Sequence, residues 1–474
     1  MGCVDGDVIN IFGSLVESIG YFKSDGSAGS ANESQFGRFV SLSGDGNTLA
    51  VGEIGSRISI FVLTNGQWQQ QIRIQGNDAV LNDVSFGLNG RLSHDGNTLV
   101  VSSHQDSSDA QGINGAHNRL AIDSGAVYVY VRNGSSWSEQ AFIKADNADA
   151  GDLFGVSLDI SKDGSTLIVG AVKESSGSAS DKLDNGAPDS GAAYVFNRNA
   201  AGAWGQTAYL KASNLDAGDR FGGAVTVSGD GLTLVVGGAL EDSDAVGIDQ
   251  DQLNDLSSNS GAIYIFALNA TDGWLQEKYI KASNADPEDQ FGHKLALSDD
   301  GATLGVTTIL EDSNDPNDPA NNDVLVGDFG AAYIFVRDDT RVWTEQAYIK
   351  PADMAATDQF GQSISLSSNG DTLAIGDPEE SSRLIGLNNG VITADASSGA
   401  GYVFIRDADG RWKQQAHIKA SNTDAGDNFG FSVDLNGDGS ALAVGAHKED
   451  GDATGVNGDA LNNNVPDSGA VYLY

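Results

Sequence analysis

The sequence predicts an all-β fold, a single seven-bladed β-propeller over residues 1–474, and three observations lead to it. A Phe-Gly dipeptide recurs at seven regularly spaced positions, with gaps of 50, 68, 67, 70, 69 and 69 residues, and all six tryptophans keep the same spacing. The chain has 61 Gly and only 7 Pro, without a long segment patterned as an amphipathic helix. Two independent markers with one period indicate seven copies of one unit. The predicted blades start at Phe36, Phe86, Phe154, Phe221, Phe291, Phe360 and Phe429.

Each unit is predicted to contain four antiparallel strands. In the third unit, residues 154–160 alternate apolar and polar side chains, as in a strand with one buried face. The tetrapeptide Ser161–Gly164 predicts a tight reversal, because glycine tolerates a positive φ. Residues 166–171 are almost all apolar, and two further strands follow over 192–196 and 204–211. Four short strands per unit, seven times over, are typical of a propeller.

The two ends of the chain predict how the ring closes. The last unit stops at residues 470–474, after three strands. Residues 20–23 match residues 141–144, the end of the fourth strand of the second unit. We therefore expect an N-terminal strand, at about residues 15–24, to complete blade seven and to leave no sheet edge open there.

The net charge of the chain disfavours some classes of partner. With 26 basic and 66 acidic residues, the formal net charge is −40, which disfavours nucleic acid and anionic membrane as partners. No stretch of about 20 apolar residues predicts membrane insertion. The first residues lack the regions of a signal peptide, so the protein is cytosolic, or its export signal is missing from this sequence. The single cysteine, Cys3, excludes an internal disulfide and is either the lipid-bearing residue after such a signal or an incidental thiol.

The repeat resembles the FG-GAP repeat of integrin α-like propellers and of bacterial surface and secreted proteins. Phe429-Gly430 is followed by Val444-Gly445-Ala446, and Phe154-Gly155 by Val169-Gly170-Ala171. The resemblance implies an extracellular or cell-surface binding module. It also implies that the ligand binds the face with the long loops between the second and third strands. Integrin-like blades carry a calcium loop in the turn between the first two strands, which here is mostly Ser-x-Asp-Gly and has too few oxygen ligands. The nearest match is the turn with Asp434, Asn436 and Asp438.

Two charges recur on the loop face, and they appear and vanish together. The first unit has neither and has no long loop. One interpretation is a ring of charges that binds ligand; the other is an ion pair that ties each loop to its sheet, which is the usual way to keep charges near a core. The acids are Asp106, Glu174, Glu241, Glu311, Glu380 and Glu449. The lysines are Lys23, Lys144, Lys211, Lys281, Lys350 and Lys419.

The long loops also contain candidate ligands for Ca²⁺. Their oxygen-bearing residues alternate and turn at glycine, as in a calcium loop, but none ends in the bidentate glutamate of an EF-hand. The alternative is that they are solvated turn residues. These candidates are Asp242, Asp244, Asp249, Asp312, Asn314, Asp450, Asp452 and Asp459.

Two further repeated residue types have structural interpretations. The tryptophans at the start of each fourth strand are expected to pack between blades rather than to stack on sugars. The aspartate that precedes Phe-Gly is expected to accept hydrogen bonds from nearby backbone amides.

Catalytic signatures are scarce. The sequence has no nucleophile elbow, zinc-protease helix or Walker loop. His104 and His447 occupy equivalent positions beside the acids, but their blades are separated by the first blade. The sequence therefore favours a non-catalytic module, monomeric or part of a larger surface protein, that presents acidic loops to a protein or glycan. The alternative is a carbohydrate-active enzyme such as a polysaccharide lyase, with its site in the axial funnel near the irregular first or sixth unit, which has Asp377-Pro378 and residues 384–387.

Overall fold

Seven four-stranded units make up the computed structural model, which describes residues 18–25, 34–76, 85–313, 327, 329–351, 358–382 and 396–474. Within these ranges the secondary structure is entirely strand, turn and bend. The innermost strands are β2 (Val40–Leu42), β6 (Gly90–Leu92), β10 (Ser157–Ile160), β14 (Ala224–Val227), β18 (Lys294–Leu297), β22 (Ser363–Leu366) and β26 (Phe429–Leu435). The second strands are β3 (Thr48–Glu53), β7 (Thr98–Ser103), β11 (Thr166–Ala171), β15 (Thr233–Gly238), β19 (Thr303–Thr308), β23 (Thr372–Asp377) and β27 (Leu442–Ala446).

The outer half of each blade is a hairpin. The third strands are β4 (Arg57–Thr64), β8 (Ala126–Asn133), β12 (Ala192–Arg198), β16 (Ala262–Asn269), β20 (Ala331–Arg337), β24 (Ala400–Arg406) and β29 (Ala470–Leu473). The outermost strands are β5 (Gln67–Gln75), β9 (Ser136–Ile143), β13 (Trp204–Leu210), β17 (Gly273–Ile280), β21 (Trp343–Ile349), β25 (Trp412–Ile418) and β1 (Gly20–Lys23). A further short strand, β28 (Gly455–Val456), lies in the long loop of blade seven.

The sheets stand around a common axis. Each innermost strand contacts the innermost strand of the next blade, and β26 contacts β2, so the ring is closed. Within a blade every pairing is antiparallel, as between β11 and β12, where Ile168 is opposite Val195. The hairpin of the third and fourth strands carries a register shift at the same place in six blades, between Val195 and Phe196 in blade three. The predicted seven-bladed fold is confirmed. Most innermost strands begin three or four residues after their Phe-Gly dipeptide, whereas β26 begins at Phe429 itself.

The N-terminal strand closes the last blade, as predicted. Strand β1 pairs with β29, with Tyr21 opposite Tyr472, and β28 covers its other edge, with Phe22 opposite Val456. The Phe22 ring is fully buried and packs edge-on against Phe61 of blade one at 5.1 Å. Strand β1 therefore brings both chain ends together in blade seven and packs this blade against blade one.

The Phe-Gly dipeptide joins each blade to the one before it. Phe221, at the start of blade four, donates its backbone N–H to Ser190 O of blade three at 3.0 Å, and its ring packs against Tyr264 of its own blade. The backbone approach is so close that a Cβ at Gly191, where φ is +78°, would lie 2.0 Å from Phe221 O. Only glycine fits there, since it has no Cβ and tolerates positive φ. This explains the Ser-Gly dipeptide that precedes the third strand in five of the seven blades.

The tryptophans also lie between blades. The Trp204 indole N–H of blade three donates to Gln140 Oε1 of blade two at 2.9 Å. Trp137 makes the same bond to Gln71, and Trp412 makes it to Gln346. The predicted packing role is confirmed for these tryptophans, because a polar tip bonded to the preceding blade fixes the ring in the interface.

We expect Phe22→Ala to lower the free energy of unfolding by about 3–5 kcal/mol, because it removes a fully buried aromatic ring at the point of closure. Ile19→Ala is the matched control, since Ile19 lies next to the same strand but is 59% exposed, and it should change stability by less than about 0.5 kcal/mol. Urea unfolding followed by tryptophan fluorescence measures both. Equal effects of the two substitutions would contradict closure by β1.

Candidate functional site

The propeller has two different faces. On one, which we call the turn face, the Ser-x-Asp-Gly turns join the first and second strands. Their aspartates bond within the turn: Asp163 Oδ1 accepts Ser165 N–H at 2.9 Å and Ser161 Oγ–H at 2.8 Å. On the other, the loop face, the long loops between second and third strands meet the links that lead to the next blade. Side-chain variety is concentrated on the loop face, where rigid scaffolds usually carry their binding residues.

The recurring acid and lysine form a buried ion pair under each long loop. In blade four, Lys281 Nζ donates to Glu241 Oε2 at 2.7 Å and to Ser260 Oγ at 2.6 Å, with both charged side chains 2% exposed or less. The ion pair recurs in five other blades, with the serine contact in all of them except blade five, where Lys350 donates to the backbone carbonyl of Ser313 instead. The pairs are Lys23–Glu449, Lys144–Asp106, Lys211–Glu174, Lys281–Glu241, Lys350–Glu311 and Lys419–Glu380. The interpretation as structural ion pairs is confirmed, and a ligand could reach these acids only by breaking the pairs.

Four of the acids also bind the link from the preceding blade. Glu241 Oε1 accepts the Asn214 Nδ2–H of the link from blade three at 2.8 Å, and Tyr279 OH donates to the same oxygen. Tyr264 OH donates to Asn214 Oδ1, so the link is held at both ends of the amide. Asn147, Asn284 and Asn422 repeat these contacts. The sequence analysis missed this asparagine, although it stands three residues after the lysine in four blades.

Blade one replaces the ion pair by another. It lacks the lysine, which Gln75 replaces, as expected, but Arg73 donates to the buried Glu53 and to Asp25. Arg73 stands two residues before the lysine position. Because side chains alternate along a strand, it lies on the same side of the outermost strand as the lysine does in the other blades. A search for charges at the repeated positions could not find it.

The aspartate before Phe-Gly caps its link, as expected. Asp219 Oδ2 accepts the backbone N–H of Asp216 at 3.1 Å. Burial raises the pKa of Asp219 to about 8, although this hydrogen bond opposes the shift, and nearby Glu241 adds to it. Asp152, Asp289 and Asp427 make the equivalent bond. These carboxyls belong to the scaffold of the loop face.

The two histidines lie in the walls of the loop face and make no contact with each other. His104 Nδ1 lies 3.5 Å from Ser102 Oγ, and burial lowers the pKa of His104. His447 packs on the Phe431 ring at 4.0 Å between centroids, and burial, followed by Arg38, lowers its pKa to about 3. Both imidazoles are therefore neutral near pH 7.

The candidate calcium ligands of blade seven are engaged in the loop itself. Asp450 Oδ1 accepts Asp467 N–H, Asp452 Oδ2 accepts the Asn464 side chain, and Asp459 Oδ1 accepts Leu461 N–H. These bonds fix the loop, and they match the alternative interpretation as turn residues.

The candidates of blades four and five are arranged similarly. Asp242 Oδ1 accepts Asn259 N–H at 2.7 Å, and Asp249 forms an ion pair with Lys278 of the outermost strand. The backbone N–H of Asp244 donates to Asn254 Oδ1 at 3.1 Å. Asp312 is described, whereas Asn314 lies outside the described residues.

The oxygen-bearing side chains in the turn of blade seven are engaged in other contacts. Asp434 is buried, and its oxygens accept Leu42 N–H, Ser365 Oγ–H and the Arg91 guanidinium. Asn436 Oδ1 accepts Ala441 N–H, and Asp438 Oδ1 accepts Ser440 N–H, as in the other turns. In the described ranges, no group of three or more His, Cys, Asp or Glu side chains is placed to hold a metal ion. Calcium binding stays a prediction.

The long loops expose leucines that the sequence analysis did not single out. Three of them stand at equivalent places, eight residues before the glycine of Ser-Gly, whereas Leu120 corresponds to the equally exposed Leu256 of blade four. These side chains are 72–84% exposed, on a chain whose other large apolar residues are mostly buried. In each case the side-chain oxygen of the residue two positions earlier accepts a hydrogen bond from the backbone N–H of the leucine. The leucine therefore stands on a fixed turn. The four leucines are Leu120, Leu183, Leu253 and Leu461.

Hydrogen bonds to the preceding links hold the loop segments that carry three of these leucines. Beside Leu183, Asn185 Nδ2 donates to Asp149 Oδ2 of the preceding link at 3.0 Å. Beside Leu253, Gln252 Oε1 accepts Ser213 Oγ–H at 2.9 Å, and beside Leu461, Asn463 Nδ2 donates to Asp424 Oδ2 at 2.9 Å. We call the loops of blades two, three, four and seven, with these links, the loop belt.

The irregular units expected to hold a funnel site, the first and the sixth, both line the described axial channel with their innermost strands. Asp377 of blade six is buried, its Oδ1 accepts Gln359 N–H, and burial, followed by Asp358, raises its pKa well above the ordinary value. Residues 384–387 lie outside the described residues. The lyase alternative expects a cluster of Lys, His and Tyr or carboxylates in the funnel. The described lining of the axial channel has no tyrosine but contains His94, His104, Lys162, Lys294, Asp159 and Asp299.

We expect Lys281→Met to lower the free energy of unfolding by about 3–5 kcal/mol, because it leaves Glu241 buried without its cation. The double variant Lys281→Met/Glu241→Gln should recover at least half of the loss, since no buried charge remains. Lys162→Met is the control, because its ion pair with Asp299 is exposed and is worth less than about 1 kcal/mol. Urea unfolding measures all three; a double variant no more stable than the single one would argue against the ion pair.

Comparison with known proteins agrees with this architecture. Within the described part of the chain, no helix has the length and apolar character that a transmembrane span requires. No curated protein matches the chain in sequence. Two similar solved structures are a chain from the Crystal Structure of Mitotic Checkpoint Complex (12% identity, TM-score 0.49, covering 94% of this chain and 92% of that one) and a chain of Kuenenia stuttgartiensis Hydrazine Synthase (13% identity, TM-score 0.51, covering 88% and 94%). At 13% identity, the latter likeness extends to the fold alone.

The family model described as FG-GAP repeat matches residues 137–196, 204–266, 343–404 and 412–474. These four segments together span just over half of the chain, and each runs from the outermost strand of one blade to the third strand of the next. With the Phe-Gly contacts and the closed ring of seven sheets, they show that the chain belongs to the FG-GAP repeat family of β-propellers.

Proposed function

We propose that this propeller is a non-catalytic module that binds a protein through the loop belt. FG-GAP propellers generally act as protein-interaction modules, which is the starting point. The observation that carries the proposal is the set of four leucines, each 72–84% exposed and each held on a fixed turn, three of them at the same place in their loops.

The leucines supply the apolar part of an interface. A single exposed leucine on a protein surface has no special meaning, but a repeated one on a rigid belt presents several apolar anchors in a fixed pattern. Burying one leucine side chain against a partner contributes about 1.5–3 kcal/mol. Because the turns and link contacts already fix the loops, binding loses little conformational entropy.

The charge of the chain indicates the chemistry of the partner. At a net charge of −40, the surface attracts a basic protein and repels acidic ones. Acids close to the leucines, such as Asp244, Asp255 and Asp452, lie in the same loops. We infer a partner that offers apolar side chains flanked by Lys and Arg, and an association rate that falls as salt increases.

A protein partner fits the belt better than a glycan. Sugars usually stack on exposed aromatic rings, but the tryptophans Trp137, Trp204 and Trp412 bond to the neighbouring blade away from the loops. Leucines are anchors for apolar protein side chains. Calcium assistance, an extracellular or cell-surface location, and a monomeric state or membership of a larger surface protein remain parts of this proposal. Cys3, the lipid-anchor candidate, lies outside the described residues.

The test is a selection from a displayed library of random 16-residue peptides on immobilised protein. We expect enriched peptides that combine apolar residues with Lys or Arg and whose affinity falls from 50 to 300 mM salt. The belt variant Leu120→Ser/Leu183→Ser/Leu253→Ser/Leu461→Ser should bind them at least about tenfold more weakly, since about 1.4 kcal/mol corresponds to that factor and several anchors are lost.

The control variant changes exposed apolar residues at the turn-face ends of the blades. It is Leu232→Ser/Leu268→Ser/Leu275→Ser/Val342→Ser, at positions 44–52% exposed. It should bind the peptides as the wild type does, and both variants should keep the wild-type melting temperature. No enrichment, or equal loss in both variants, would refute the loop belt as the binding surface.

A further inference from the structure

The axial channel of the propeller is a second candidate site, apart from the loop belt. It encloses about 430 Å³ and is lined by the innermost strands of all seven blades. Each innermost strand runs from the loop face to the turn face, so residues just after Phe-Gly lie at the loop end of the channel, and those of the Ser-x-Asp-Gly turns lie at the turn end.

Hydrogen bonds and ion pairs between blades cross the turn end of the channel. At six of the seven junctions between the described turns, the backbone N–H of one turn donates to the carbonyl of the next, as His94 does to Lys162 O at 3.2 Å. The Lys162 ammonium reaches across to Asp299, two blades away, at 2.8 Å. Deeper in the channel, Arg91 of blade two contacts Asp434 of blade seven at 2.5 Å. Charges at this end are therefore paired.

The loop end contains two cations whose charge is not paired. Arg38 of blade one and Lys294 of blade five line the channel and are half-buried. Among the described residues, neither has a carboxylate within ion-pair distance or a side-chain hydrogen bond; the one close contact is that of the Arg38 guanidinium over the Phe431 ring, at 5.5 Å. Burial lowers the pKa of both groups, because it removes water without supplying an anion.

Unpaired, half-buried cations are unusual on this chain. Acidic residues outnumber basic ones by 66 to 26, and the lysines beneath the loops all have their carboxylates. An anion between Arg38 and Lys294 would satisfy both cations and offset the cost of their desolvation.

The same end of the channel has one polar and one apolar side. Gln362 and Phe431, from blades six and seven, lie between the two cations around the ring. At the position of Arg38, two residues after the Phe of Phe-Gly, blades two, three and four have Leu88, Val156 and Gly223. Blade five has His293 there, 3.2 Å from Gln362 Oε1, and Lys294 stands one residue later. A ligand here would meet cations and an amide on one side and apolar side chains on the other.

We propose that the loop end of the axial channel binds a small organic carboxylate with an apolar body. The carboxylate lies between Arg38 and Lys294, where the guanidinium offers paired N–H donors and the ammonium a point charge. The body packs on Leu88 and Val156. Most binding pockets combine a few convergent polar groups with an apolar wall in this way. The carboxylate belongs either to a free small acid or to the C-terminus of a chain that enters the channel.

The test is calorimetric titration of the full chain with sodium hexanoate. Hexanoate should bind, while hexanamide, which has the same body without the charge, should bind at least about tenfold more weakly. Lys294→Met and Arg38→Met should each weaken hexanoate binding by about tenfold or more, and Lys294→Arg should retain it. Lys162→Met is the matched control, because that lysine lies at the other end of the same channel, and it should bind hexanoate as the wild type does.

Further arms separate the sources and the outcomes. A pentapeptide ending in leucine, tested with a free and with an amidated C-terminus, shows whether a chain terminus enters the channel. If only the free form binds, the site accepts a chain terminus as well as small acids. The proposal is overturned if hexanoate does not bind, if hexanamide binds equally, if inorganic phosphate binds equally, or if Lys294→Met folds with an unchanged melting temperature and binds hexanoate as the wild type does.

Discussion

The buried ion pair beneath each long loop is the interaction on which the loop face depends. Removing two charges from water costs several kcal/mol for each ion, and the cost is offset only where the remaining hydrogen-bond capacity is also used. Around Glu241 this condition is met, since Lys281, Tyr279 and Asn214 all donate to its two oxygens. The lysine comes from the outermost strand, the acid from the loop, and the asparagine from the preceding link. One carboxylate therefore fixes three segments of chain relative to each other.

This arrangement explains why the loops are useful for binding although they contain little regular structure. The pair ties the base of each loop to its own sheet and to the blade before it, and the turns above it hold the backbone of Leu183, Leu253 and Leu461. Blade one, which has no long loop, replaces the pair by Glu53 and Arg73. The repeated charges thus serve the scaffold, and in the proposed function the exposed leucines that the scaffold supports contact the partner.

The sequence predicted the features whose residues repeat from blade to blade. Residues that keep one position in six or seven blades were identifiable: the Phe-Gly dipeptides, the tryptophans, the acids and the lysines, and with them the closed ring and β1. The leucines have no fixed spacing from the acid, since Leu183 follows its acid by nine residues and Leu253 follows its acid by twelve. Three of them, Leu183, Leu253 and Leu461, do stand eight residues before the glycine of Ser-Gly, and this signal could have identified them. Arg38 and Lys294 were missed for another reason: each occurs in a single blade, and only the fold brings both to one end of the channel.

Native-state hydrogen exchange, followed by mass spectrometry, tests the central claim most directly, that ion pairs make the loops as rigid as the sheets. In blade four, Gly261 N–H donates to Glu241 O and Lys281 N–H donates to Gly247 O, so the loop over residues 241–261 has its own backbone bonds around the pair. We predict protection of this loop within about tenfold of that of β15 and β16, since opening it must break a buried pair. Exchange of the loop at the rate of an unstructured peptide, with the sheets protected, would contradict the account.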